Sequence, residues 1–248
     1  MHVHFVQHES YEAPGAYLAW AKARGHQVSF SKVYAYQPLP GASDIDVLII
    51  MGGPQSPTTS QAECPYFDAE AEINLISQCI RCGQLVIGVC LGAQLIGEAL
   101  GASYEPSPER EIGVFPIYLT EAGLAHKMLQ HFGDALPVGH WHNDMPGLTP
   151  ESRILAMSEG CPRQIIEYTP WVYGFQCHME FDAQIIEPLI ASDENAFTRT
   201  ASHEFIQTPA QIRSHSFEEM NEKLFLFLDN LSEEYVSRLH AGGVGKEG

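Results

Sequence analysis

The sequence predicts an α/β protein built on an open, mostly parallel sheet with helices on both faces. Two observations carry that reading. Short, wholly apolar runs such as Val47–Met51 and Leu85–Val89 recur along the chain, and strands buried on both faces read this way because neither face meets water. Between them lie amphipathic stretches of helical period, several ending at a glycine, and such alternation of strand and helix favours a parallel sheet.

Taken in order, His2–Gln7 reads as a first strand and Tyr17–Arg24 as a helix closed by Gly25. A strand over Gln27–Phe30 follows, then the buried strand Val47–Met51, which runs into Gly52-Gly53-Pro54. Phe67–Arg81 is helical: Ile73, Leu75, Ile76 and Ile80 share one face, and Gly83 supplies the stop. Leu85–Val89 is the next buried strand, and Leu91–Leu100 a helix closed by Gly101. Shorter strands are expected at Gly113–Leu119, Arg153–Ala156, Gln164–Tyr168 and Val172–Cys177, and helices at Ala183–Ile190 and Glu218–Leu239. No internal repeat or low-complexity linker interrupts the pattern. Residues 1–240 therefore read as one domain, and 241–248 as a disordered tail.

Thirty-one acidic against thirteen basic residues give a formal charge of −18. A surface that negative repels phosphate backbones and anionic lipid, so nucleic acid and membranes are poor partners. No apolar run approaches the roughly 20 residues a spanning helix needs. The opening segment shows no basic stretch followed by an apolar one, so no secretory signal is expected. Six cysteines in a chain of this length, without such a signal, are expected as reduced thiols. The reading is cytoplasmic.

Cys90 stands between a predicted buried strand and a predicted helix, with Gly88 and Gly92 two residues to either side. This is the nucleophile-elbow spacing with cysteine in place of serine. The turn is too sharp for β-carbons at its flanks, and the nucleophile is held in a strained conformation. At a helix N-terminus the thiol meets the positive end of the helix dipole, which favours thiolate. The Leu91 N–H points where an oxyanion forms. Taken alone, the spacing also fits a buried structural cysteine.

The second element is Gly174-Phe-Gln-Cys-His-Met-Glu180. His178 and Glu180 stand two apart at the C-terminal end of a predicted strand and point the same way. In open α/β sheets that edge collects the site, and it also carries Cys90. His178 is placed to take the thiol proton, and Glu180 to fix the imidazole tautomer and stabilise its cation.

Together, Gly52-Gly53-Pro54, the G-x-C-x-G-x-Q run Gly88–Gln94 and the G-x-Q-x-H-x-E run Gly174–Glu180 resemble the class I glutamine amidotransferases. The blocks Arg110-Glu-Ile-Gly113 and His140-Trp-His-Asn-Asp144 resemble in particular the stand-alone, GMP synthase-like branch. The resemblance implies a flavodoxin-like fold, a Cys90–His178–Glu180 triad, and oxyanion-hole N–H groups from Gly53 and Leu91. It also implies that Gln94, His142, Asn143 and Asp144 hold the amino and carboxylate ends of a glutamine-like substrate. The implied reaction is thiolate attack on the γ-carboxamide, loss of ammonia, and hydrolysis of a γ-glutamyl thioester, with no cofactor. Two positions depart from the family pattern: Met179 replaces a usual Pro and Cys177 a usual aromatic, both expected at the wall of the site. Cys177 also suggests an oxidation partner for Cys90.

Other motifs are read as structural. Cys79 and Cys82 have half the spacing of a zinc or redox site but no second pair. His2 with His4, and His140 with His142, face one side of a strand; without a third ligand in sight they are expected as hydrogen-bonded histidines, and no metal is assigned. The Gly242–Glu247 stretch lacks a phosphate loop's spacing and preceding strand, and Glu218, Glu219 and Glu222 form a solvated helix face. No nucleotide-binding loop is present, so an ammonia acceptor is expected on a separate synthase or acceptor subunit. Competing readings are a γ-glutamyl peptidase using the same triad and a catalytically silent binding protein.

Overall fold

In the computed structural model, residues 1–198 and 204–243 are described. The strands are β1 (His2–Gln7), β2 (Gln27–Lys32), β3 (Val47–Ile50), β4 (Leu85–Val89), β5 (Glu105–Leu119), β6 (Ala135–Met145), β7 (Arg153–Met157), β8 (Ile165–Thr169) and β9 (Val172–Phe175). The helices are α1 (Gly15–Ala23), α2 (Ala69–Arg81), α3 (Leu91–Ala99), α4 (Glu121–Leu124), α5 (Ala183–Ser192), α6 (Glu194–Thr198), α7 (Pro209–Arg213) and α8 (Glu218–Gly243). The strands form one open sheet in the order β2-β1-β3-β4-β9-β8-β7-β5-β6. The first five in that order run parallel, and the sheet continues through β8, β7, β5 and β6 in antiparallel pairs.

The apolar runs become strands because both sheet faces are covered. Ile49 of β3 and Leu85, Ile87 and Val89 of β4 pack on one face, in a core shared with Tyr17 and Trp20 of α1 and Leu224, Phe227 and Leu231 of α8. Leu48, Ile50 and Val86 point to the other face, against Leu75 and Ile76 of α2 and Leu95 and Ile96 of α3. Burying one such side chain contributes about 1.5–3 kcal/mol. α1 and α8 are also tied by Asp229, which accepts from Trp20 Nε1 at 2.8 Å and from Arg24 Nη2 at 2.7 Å.

The elements differ from the sequence reading where local chemistry intervenes. α2 begins at Ala69 rather than Phe67 because the Asp68 carboxylate caps it, accepting from the Ala71 N–H at 3.0 Å. β5 starts eight residues earlier than expected. Its first half, Glu105-Pro-Ser-Pro-Glu-Arg110, is charged and carries two prolines, and the pairing with β6 shifts register between Pro106 and Glu111; proline is tolerated in a sheet at such an irregularity. The strand read at His140 and His142 extends over Ala135–Met145 as β6, and α4, α6 and α7 were not expected as elements. α8 extends through Gly243, three residues into the expected tail; residues 244–248 lie outside the described residues. No helix among the described residues is long and apolar enough to cross a membrane.

Candidate active site

The C-terminal ends of β1, β3, β4 and β9 bring together the segments that follow them. Cys90 occupies the turn from β4 to α3 with φ 51° and ψ −109°, one of two non-glycine residues with positive φ among those described. Such a conformation costs about 1–3 kcal/mol and persists only where the surroundings impose it. They do so here: the Cys90 N–H donates to the Phe175 carbonyl at 2.7 Å, and its own carbonyl accepts from Ala93 at 3.0 Å and Gln94 at 3.2 Å. A β-carbon on Gly88 would strike the Gly92 carbonyl, and one on Gly92 the Ile50 carbonyl. The Cys90 thiol donates to the Trp141 carbonyl at 3.8 Å.

β9 ends at Phe175, two residues earlier than expected, yet His178 is still held extended. Its N–H donates to the Gly139 carbonyl at 2.8 Å and its carbonyl accepts from the Gly139 N–H at 3.0 Å, a bridge to β6. His178 Nδ1 lies 2.6 Å from Glu180 Oε1, with both groups buried. A carboxylate accepts, so Nδ1 carries the proton, and Nε2 is left without a hydrogen-bond partner. Burial pushes the His178 pKa down, but the Glu180 charge, followed by the proximity of Cys90 and the hydrogen bond to Glu180, holds it well above 6.5. Phe181 stacks on the imidazole at 4.6 Å.

Gly52 fits between these groups because it has no side chain. A β-carbon there would lie 2.9 Å from Glu12 Oε2, 3.3 Å from His178 Cε1 and 3.5 Å from Cys90 Cβ. The Gly52 carbonyl accepts from His8 Nδ1 at 3.0 Å, and His8 Nε2 pairs with Glu72 Oε2 at 2.8 Å. His8 is fully buried; burial lowers its pKa, but the Glu72 charge and the hydrogen bonds to Glu72 and Gly52 outweigh this and raise it. Carbonyl and following N–H are antiparallel across a trans peptide, so His8 turns the Gly53 N–H away from itself. Leu91, at the first position of α3, has an N–H that no preceding helical turn satisfies.

A cavity of about 250 Å³ opens onto Cys90, lined also by Gly53, Leu91, Gln94, Arg110 and Asp144. His142 and Asn143 line it too, so each expected site residue other than the inward-facing His178 and Glu180 borders this space. Their side chains differ in availability. Gln94 Nε2 is committed to Gln176 Oε1 at 3.2 Å, and His142 Nε2 lies 3.2 Å from Glu111 Oε2. Asn143 is exposed and Asp144 half-buried. Burial raises the Asp144 pKa, and the nearby His142 lowers it in part.

The sequence reading missed His8, Glu12, Glu72 and the lining role of Arg110. Glu12 borders the cavity, and its pKa is pushed up to about 6, mainly by burial. His8 and Glu12 follow the C-terminal end of β1, so the strand-edge rule that found His178 extends to them. Cys177 and Met179, expected at the site wall, are buried in the core and are not among the residues lining the cavity. Cys177 donates to the Gln164 carbonyl at 3.7 Å, and burial with the Glu180 charge holds its thiol well above its ordinary value, so it is not poised as an oxidation partner for Cys90. Cys79 is buried and Cys82 exposed, both as free thiols. His2 and His4 both bond Ser29, and His4 also bonds Ser31.

Fold and site together define a class: an open α/β protein with cysteine, histidine and glutamate gathered at the ends of its parallel strands. The chain belongs to the class I glutamine amidotransferase family, whose model matches residues 21–194. It is 55% identical over 233 residues to the glutamine amidotransferase-like protein YfeJ of Salmonella typhimurium, covering 94% of this chain and 98% of that one. The solved structure of SMU.1228c superposes with a TM-score of 0.92 at 49% identity, covering 94% of this chain and 100% of the other. GMP synthase [glutamine-hydrolyzing] of Lactococcus lactis is 28% identical over 163 residues, covering 65% of this chain but only 28% of the synthase.

Proposed function

We propose that this protein hydrolyses the side-chain amide of glutamine through a γ-glutamyl thioester on Cys90, releasing ammonia. The observation that carries the reading is the hydrogen-bonded His178–Glu180 pair facing a cysteine in strained backbone at the floor of a small cavity. In the first step Cys90 Sγ attacks the amide carbon while His178 takes the thiol proton. As the C–N bond breaks, His178 returns that proton to the leaving nitrogen, and ammonia departs. Water then attacks the thioester carbon, with His178 as base, giving glutamate and the free thiol. Glu180 holds the imidazole tautomer throughout and offsets its positive charge. The Gly53 and Leu91 N–H groups serve the developing oxyanion.

The cavity volume suits an amino-acid-sized molecule, lying just below the range typical of drug-sized ligands. Its charges suit a zwitterion: Arg110, which pairs with Asp193 at 2.9 Å, for the α-carboxylate, and Asp144 and Glu12 for the α-ammonium. The glutamine-hydrolyzing synthase relative supports delivery of the ammonia to an acceptor enzyme. The test is release of ammonia and glutamate from glutamine, run beside cleavage of γ-glutamyl peptides, with the site of alkylation by a glutamine-like electrophile located by mass spectrometry. Glutamine turnover with the label on Cys90 is expected. Peptide cleavage without glutaminase activity would favour the γ-glutamyl peptidase reading, and absence of both turnover and labelling would remove the enzymatic one.

A further inference from the structure

On β5 and β6, bordering the cavity at His142, lies a second cluster whose metal-ligating groups the proposed reaction does not use. Glu111 of β5 stands opposite His142 of β6 in the antiparallel register, and His140 lies two residues further along the same face. All three are buried, Glu111 and His140 completely. His142 Nε2 is 3.2 Å and His140 Nδ1 3.5 Å from Glu111 Oε2, and the three donor atoms lie within 4.8 Å of one another. Ligand atoms about 2.0–2.1 Å from a tetrahedral Zn2+ are separated by roughly 3.3 Å. The two separations measured from the carboxylate oxygen bracket that value.

The surroundings orient the three groups. His140 Nε2 lies 3.2 Å from the Phe115 carbonyl, which only accepts, so that nitrogen carries the proton and Nδ1 presents a lone pair to the carboxylate. A histidine that gives its other N–H to a backbone carbonyl is the usual arrangement around a bound metal. Glu111 Oε2 is steadied by Ser158 Oγ at 2.8 Å and Gln164 Nε2 at 2.7 Å. His140 Nδ1 and Glu111 Oε1 are buried without a hydrogen-bond partner. His142 Nε2 already has neighbours in Glu111 Oε2 and in Gln164 Nε2 at 3.2 Å, but His140 turns an unpartnered lone pair on the carboxylate. A cation at the centre resolves the contact between His140 Nδ1 and the carboxylate.

We propose that Glu111, His140 and His142 form a binding site for one divalent transition-metal cation of the Zn2+ type. Two imidazoles and one carboxylate suit Zn2+ rather than Ca2+ or Mg2+, which take oxygen sets. The ion clamps β5 to β6 on either side of Trp141, whose carbonyl accepts from the Cys90 thiol. Its role is to brace the wall of the site. Glu111 supplies the third ligand that the spacing of His140 and His142 alone did not reveal.

The test uses the full chain, stripped with a chelator, loaded with Zn2+ and passed through gel filtration before elemental analysis, with Co2+ as a spectroscopic probe. One Zn2+ per chain is expected, with a raised thermal midpoint. The Co2+ form should show visible d–d bands without a thiolate charge-transfer band. His140→Ala and Glu111→Gln should lose the ion, and Gln164→Leu should bind it about 10–100-fold more weakly. Cys90→Ser and a Cys79→Ser/Cys82→Ser pair should keep it. Wild-type protein that retains no metal overturns the proposal without reliance on any variant. So does Co2+ with thiolate character, or stoichiometric binding that survives in folded His140→Ala.

Discussion

The His8–Glu72 pair offers a test of how the proposed oxyanion site is built, because stability and rate respond to it differently. His8 Nδ1 pins the Gly52 carbonyl and His8 Nε2 meets Glu72, with both side chains buried. His8→Leu leaves the Glu72 carboxylate buried without its partner, which costs about 3–5 kcal/mol. At about 2–4 °C per kcal/mol for a chain of this size, the melting temperature should drop by roughly 6–20 °C. Replacing both, as His8→Leu/Glu72→Leu, removes the unpaired charge and should recover most of that loss, apart from the about 1 kcal/mol of one hydrogen bond to the Gly52 carbonyl. The rate should not recover. With its carbonyl released, the Gly52–Gly53 peptide is free to turn its N–H from the oxyanion, and full loss of one such donor costs about 10²–10³-fold in kcat. A kcat reduced by about 10-fold or more, with KM for glutamine nearly unchanged, is therefore expected in the stable double variant. Thermal unfolding and steady-state glutamate release read the two effects separately. A double variant with wild-type stability and wild-type kcat would show that the pair only fills space, and the positioning argument would fail.

Three further outcomes follow from the same geometry. Cys90→Gly should abolish turnover while raising stability by about 1 kcal/mol, since glycine relieves the positive φ; a lower melting temperature would refute the claim of strain. Glu180→Gln keeps the shape beside His178 but removes its charge, and should cut kcat by about 10²–10⁴-fold; near-normal kcat would remove Glu180 from the proposed triad. Glu12 has a folded-state pKa of about 6 against an ordinary 4.5, so the folded chain binds its proton more tightly and stability should fall as pH rises through that window. Because the group is partly exposed the effect is at most about 2 kcal/mol, and unfolding midpoints at pH 4.5 and 7 should differ less in Glu12→Gln than in the parent.

The parallel half of the molecule was legible in the sequence, and the antiparallel half only in fragments. Val47–Ile50 and Leu85–Val89 are apolar throughout because both faces are covered, a pattern short-range reading detects directly. Cys90 was legible because a steric rule places glycines on both sides of a sharp turn. β6 mixes a proline, two histidines and a tryptophan, and its alternation is hidden because its inward residues include polar His140 and His142. Their burial depends on Glu111, Ser158 and Gln164, which come from three other parts of the chain. No local pattern carries that information. His8 was missed for a related reason: its function is to hold a carbonyl forty-four residues away, and a lone histidine at a strand end does not announce its acceptor.

This division bears on how the proposed triad is assembled. The proposed nucleophile belongs to the parallel block, seated by α3 and the Phe175 carbonyl, and its position follows from packing that the apolar runs already dictate. The proposed base lies beyond the last residue of β9 and has no strand pairing of its own within the parallel block. What holds it is the two-bond bridge to Gly139, where a β-carbon would collide with Phe181, the ring stacked on the imidazole. The distance between sulfur and imidazole is thus set by how β6 sits against β9, and β6 is held through β5 rather than by β9 itself. Perturbations of the β5–β6 pair should therefore act on kcat by moving His178 relative to Cys90, although neither strand supplies a reacting atom.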